Sequence, residues 1–132
     1  MSLKVRGIRG ATTVTENTKE SILEATTELL IELIQSNQIQ TDDIAFAYFS
    51  TTNDLTAEFP TVAARRLGWE FVALMNGHEM QVPDAQPQCI RALIVVNTEK
   101  SAQEIVNVYL RNAKNLRRRG VDLTIDNNPI ST

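Results

Sequence analysis

The residues best placed to do chemistry in this sequence are arginines set inside structured segments. Arg91 lies in the stretch QCIRALIVVNT, residues 88–98. There Ile90, Leu93, Ile94, Val95 and Val96 form a near-continuous apolar run, the pattern of a strand covered on both faces. A guanidinium taken out of water costs several kcal/mol unless an anion meets it, and no acidic residue stands within two positions of Arg91. It meets either a carboxylate from elsewhere in the chain or a ligand. Arg6 and Arg9 end the first strand, Arg65 and Arg66 fall on a helix, and Arg117–Arg119 form a run. Glu79, in a loop beside apolar residues, is the candidate counter-ion for Arg91. Arg65 and Arg66 also read as solvated helix positions, and the RRRG run as cations near a helix C-terminus, where the dipole favours them. His78 reads as a loop residue, Cys89 as core and Tyr109 as a core aromatic with a satisfied hydroxyl. Taken alone, these residues describe an arginine-rich site suited to a small anion.

No GxGxxG, P-loop, HExxH, CxxC or GxSxG motif occurs, so no local pattern announces a nucleotide, a metal or an activated nucleophile. The single cysteine excludes an intramolecular disulfide and a cysteine-rich zinc site, and the single histidine excludes a multi-histidine metal centre within one chain. A net charge of −3 argues against a dedicated nucleic-acid binder. No apolar run approaches a membrane span and no signal-peptide pattern opens the sequence. A soluble cytoplasmic protein is the expectation.

At 132 residues the chain suits one domain, expected over 1–120 with a partly disordered strand and tail over 121–132. The elements that must position the arginines follow from pattern. LKVRGIRG, residues 3–10, alternates as a strand. Asn17 reads as the N-cap of a helix whose apolar face is Ile22, Leu23, Thr26, Leu29, Leu30, Leu33 and Ile34. DDIAFAYFST, residues 42–51, is a second buried strand. Pro60 opens a short helix that Gly68 closes, WEFVALM, residues 69–75, is a third strand, and the Arg91 strand follows a loop. SAQE, residues 101–104, is a capping box expected to open a helix to about Leu116, and a last strand is expected at 121–125. The order β-α-β-α-β-β-α-β predicts an α/β or α+β fold, a mixed sheet with helices on one face. Two strands are apolar on both sides, so a partner subunit is expected on the other face.

The blocks RGIRGATTV (6–14), DLTAEFP (54–60), GWEFV (68–72), EM (79–80), CIR (89–91) and VYL followed by LR (108–110, 116–117) resemble, in order and spacing, the chorismate mutases of the trimeric pseudo-α/β-barrel class, as distinct from the all-helical class. The likeness runs from about residue 5 to residue 117. It implies a ferredoxin-like chain in a homotrimer with active sites at the subunit clefts, in aromatic amino-acid biosynthesis. It also implies the Claisen rearrangement of chorismate to prephenate, with no metal or cofactor.

In the resemblance, Arg91 matches the arginine that meets the ether oxygen and a substrate carboxylate, and it is expected to stay unpaired until substrate arrives. Glu79 matches the glutamate that accepts from the ring hydroxyl, and Arg9 and Tyr109 match residues holding the enolpyruvyl carboxylate. Phe59 and Leu74 match apolar walls from the neighbouring subunit, Leu116 one from the subunit bearing Arg91, and Arg65 and Arg117 mobile arginines at the mouth. Asn76 stands where a substrate-contacting cysteine is common and is kept as a binding residue; Val62 stands where a lysine can occur. The rival readings are a Rid-like trimeric imine deaminase, a non-catalytic module that binds a dicarboxylate metabolite, and a structural protein with an internal Arg91–Glu79 bridge.

Overall fold

The computed structural model describes residues 2–118, with side chains as far as Leu116. Its strands are β1 (Lys4–Thr13), β2 (Ile44–Thr51), β3 (Ala73–His78), β4 (Cys89–Thr98) and β5 (Val108–Tyr109), and its helices α1 (Lys19–Asn37), α2 (Thr61–Arg66) and α3 (Lys114–Arg118). The strands form one mixed sheet in the order β3-β2-β4-β1-β5. β4 runs antiparallel to both β1 and β2, while β3 is parallel to β2 and β5 parallel to β1.

Strand alternation divides the sheet into two faces. Ile8 on β1, Ala47 and Phe49 on β2, and Ala92, Ile94 and Val96 on β4 form the buried core with Leu29, Leu30 and Leu33 of α1. Gly10 lets the helix lie close, because a Cβ there would stand 2.7 Å from a Leu33 methyl. The other face carries Val5, Phe46, Met75 and Leu93, which are 65%, 44%, 65% and 36% exposed. A stripe of that size on adjacent strands is unusual for a surface facing water. At its β5 end the turn before α3 and the helix itself cover it: Ala113 of the single turn Arg111–Ala113 and Leu116 of α3 pack on Ala11, Cys89 and Tyr109.

Several boundaries differ from expectation. Thr18, not Asn17, caps α1 through Ser21 N at 3.1 Å. Asn17 instead binds the loop before α2, its Oδ1 accepting from Thr56 N and Ala57 N at 2.9 and 3.0 Å. The third strand begins at Ala73 rather than Trp69, because Trp69 is drawn into the core as an anchor, 1% exposed. The helix expected from the capping box stops after a single turn at Ala102–Glu104. Beyond it Val108 and Tyr109 pair with Gly10 and Ala11 of β1, so sheet edge outcompetes local helix propensity there, and helix resumes at Lys114. The strand expected at 121–125 and the tail lie outside the described residues.

Candidate active site

The register places one residue from each strand in a row across the sheet face opposite α1, covered at its β5 end. Gly77 of β3 stands opposite Ser50 of β2, Ser50 opposite Arg91 of β4, Arg91 opposite Ala11 of β1, and Ala11 opposite Tyr109 of β5. Adjacent strands are about 4.8 Å apart, so Arg91 and Tyr109 are separated by roughly 10 Å. Arg9 lies two residues along β1 on the same face. It lines, with Arg91, Tyr48, Ser50 and Leu93, an open depression of about 180 Å³.

Arg91 has an anionic neighbour within the chain. Its Nε lies 3.7 Å from Oε1 of Glu79, with the two side chains 30% and 17% exposed. Ser50 Oγ donates to the same oxygen at 3.1 Å. Glu79 reaches it because its backbone N–H bonds Thr51 O at 2.9 Å, continuing the β2–β3 ladder one step past β3. The expectation that Arg91 stays unpaired until a ligand arrives is therefore corrected: a loop residue far in sequence is brought beside it by strand pairing. At 3.7 Å and partly solvated the contact is a long ion pair of modest strength.

Tyr109 is buried with Leu116 at the β5 end of the row, 8% and 5% exposed. Phe59 and Asn76 lie elsewhere, lining a cavity of about 410 Å³ with Thr51, Leu55, Pro60 and His78. Leu74 packs at the margin of the α1-side core. Within one chain these three do not join the Arg91 row, since Asn76 and Leu74 pair with Phe49 and Ala47 on the opposite face of the sheet. The Asn76 amide is committed to α2, accepting from Thr61 N at 3.3 Å and donating to Thr61 Oγ1 at 3.0 Å. Arg65 is held rather than loose. Its Nη1 donates to the carbonyls of Trp69, Glu70 and Val72 and closes the turn from α2 into β3. The side chain of Arg117 lies outside the described residues.

Ser50 and Tyr48 were not singled out by residue type. Their signal was the alternation in IAFAYFST, which puts Phe46, Tyr48 and Ser50 on one face, but only pairing with β4 reveals that this is the face of Arg91.

This is an α+β protein in which Arg9, Arg91, Tyr48 and Ser50 line an open depression on the sheet face opposite α1, with Glu79 beside Arg91 and Tyr109 buried at the β5 end of the row. The chain belongs to the chorismate mutase type I family, whose sequence profile matches residues 5–119. It is 45% identical over 114 residues to chorismate mutase AroH of Thermus thermophilus, spanning 86% of this chain and 93% of that one. To chorismate mutase AroH of Bacillus subtilis (strain 168) it is 40% identical over 116 residues, 87% and 91% of the two chains. The solved structure of a chorismate mutase from Clostridium thermocellum matches with a TM-score of 0.83 at 45% identity, covering 84% of this chain and 99% of that one. Among the described residues no helix is long and apolar enough to cross a membrane.

Proposed function

We propose that this chain rearranges chorismate to prephenate at the Arg91 row, in clefts between the subunits of a homotrimer. In that reaction one molecule breaks an ether C–O bond as it forms a C–C bond, with no group transferred to the protein. The protein has two tasks: to hold a flexible dicarboxylate in its folded, reactive conformer, and to stabilise the charge that builds on the ether oxygen. The observation that carries the reading is the row itself. Arg91 and Tyr109 flank the small Ala11, Arg9 shares their face, and Glu79 stands beyond Arg91 with its carboxylate pinned by Ser50.

In this reading Arg91 meets the ether oxygen and one carboxylate through its planar fork, which suits bidentate anion recognition. Glu79 accepts from the ring hydroxyl at the other end of the substrate. Arg9 and Tyr109 hold the enolpyruvyl carboxylate, and Leu116 walls the site beside Tyr109. The resting Arg91–Glu79 contact keeps the guanidinium aimed across the row, and substrate inserts by exchanging that contact for its own oxygens.

Two features support the trimer. The exposed stripe Val5, Phe46, Met75 and Leu93 is the kind of surface a second copy covers. Phe59, 64% exposed, and Leu74 are absent from the Arg91 side of their own chain, so their part as apolar walls is filled from a neighbouring subunit. The cytoplasm is the compartment this reading assigns.

The test is the loss of chorismate ultraviolet absorbance with purified protein, with Arg91→Ala alongside and native mass spectrometry on the same sample. Turnover by a wild-type trimer and its collapse in the variant support the reading. Binding of chorismate without turnover favours a metabolite-binding module, and hydrolysis of an imino acid in its place favours the deaminase.

A further inference from the structure

Arg111 has a backbone φ of 53°, in the left-handed region that disfavours residues with a Cβ. Its side chain is anchored at two points on different elements. Nη1 donates to Thr13 O at the end of β1 at 3.0 Å, and Nε lies 3.3 Å from Oε1 of Glu28 on α1. The next residue adds a third tie, Asn112 N to Thr13 Oγ1 at 3.2 Å. This is the point where the chain leaves Tyr109, whose successor Leu110 still bonds Ala11 O at 2.9 Å, and turns back so that Ala113 and Leu116 pack on Tyr109, Cys89 and Ala11. No glycine eases the turn; the guanidinium contacts offset its conformational cost.

We infer that Arg111 is a positioning residue for the proposed reaction: its two-point clamp on Thr13 and Glu28 holds the turn that places Tyr109 and Leu116 at one end of the substrate cleft. The inference rests on the chorismate mutase reading. Arg111 acts through Tyr109 and Leu116 and does not itself touch substrate. Without the clamp the turn samples other conformations, and only the fraction with both residues in place binds substrate well. Apparent affinity falls by that fraction, while saturating substrate restores the arrangement and the maximal rate.

The experiment compares KM, kcat and melting temperature for Arg111→Gly, Arg111→Lys, Glu28→Gln and the Arg111→Gly/Glu28→Gln double variant. Glycine accepts the backbone conformation, so it removes the clamp without adding strain. Arg111→Gly is expected to raise KM about tenfold with kcat within about twofold of wild type. Glu28→Gln, which loosens one partly exposed anchor, is expected to raise KM about two- to threefold. The double variant is expected to be no worse than Arg111→Gly, since both changes act through one contact. Lysine reaches one acceptor at a time and is expected to fall between. A lowered melting temperature with KM unchanged overturns the inference and leaves Arg111 a structural residue. Amide hydrogen exchange at Leu110 and Ala113 gives a readout independent of turnover: faster exchange in Arg111→Gly is expected, and unchanged protection overturns the inference. Absence of turnover in wild type counts against the chorismate mutase reading and leaves the exchange result to judge the clamp.

Discussion

Ser50 and Arg91 stand opposite one another across the β2–β4 pair, and both reach toward a single oxygen, Oε1 of Glu79. Ser50 makes the shorter contact, 3.1 Å against 3.7 Å. The glutamate is thus held by a neutral donor as well as by its longer, partly solvated contact with the guanidinium.

Arg91→Ala is expected to raise the barrier of the proposed reaction by about 3–4 kcal/mol, the scale of losing a donor to a developing oxyanion. Arg91→Lys is expected to fail as well, because a single ammonium cannot reproduce the guanidinium fork. Near-normal kcat/KM in either folded variant would remove Arg91 from the chemistry.

For Ser50→Ala the expected loss is about 1.5 kcal/mol, roughly tenfold in kcat/KM, from one hydrogen bond to a charged acceptor. Thermal stability should barely move, since the Ser50 hydroxyl serves Glu79 rather than the α1-side core. A drop in melting temperature without a kinetic effect would show that the hydroxyl serves packing instead.

Gly10→Ala tests the sheet–helix fit behind the site. The added methyl would press on Leu33 and Leu29, with contacts of 2.7 and 3.0 Å, and overpacking of this kind costs about 1–3 kcal/mol. A urea midpoint equal to wild type would mean that α1 can shift without penalty.

Arg65→Ala separates a clip from a mouth residue. Its guanidinium serves the Trp69, Glu70 and Val72 carbonyls, so the expected effect is a stability loss of about 1–2 kcal/mol. The salt dependence of kcat/KM should stay as in wild type. A flatter salt dependence in the variant would restore Arg65 as a steering charge.

Acid sensitivity is expected at the capping box. Ser101 N donates to Glu104 Oε1 at 2.8 Å, and that backbone hydrogen bond, with the Ser101 hydroxyl and Lys100 in support, holds the Glu104 carboxyl below the ordinary glutamate range. A carboxylate lowered on folding contributes stability above its unfolded pKa and loses it as pH falls through its folded pKa. Wild type should therefore lose slightly more stability than Glu104→Gln between about pH 6 and about pH 3. Parallel urea-midpoint curves for the two proteins would rule this out.

Much of the fold was legible from residue pattern. The α1 stripe, the two-sided apolar strands β2 and β4, and the Pro60 and Gly68 limits of α2 all follow from periodicity and backbone preference, which act over a few residues. Arg91 was conspicuous for the same reason, as a charge inside an apolar run. The segment after the capping box departs from its helical signals because these are local, whereas Val108 and Tyr109 answer to the free edge of β1 almost a hundred residues away. Ser50 carried no mark of its own.

Residue order thus set which segments became strand or helix and which residues were chemically unusual, because local sterics and alternation of polarity are written along the chain. Strand pairing decided which of those residues meet. It put Glu79 beside Arg91, Ala11 between Arg91 and Tyr109, and Asn76 on the far face, because register and sheet order arise from burial summed over distant segments and no short window of sequence contains that sum.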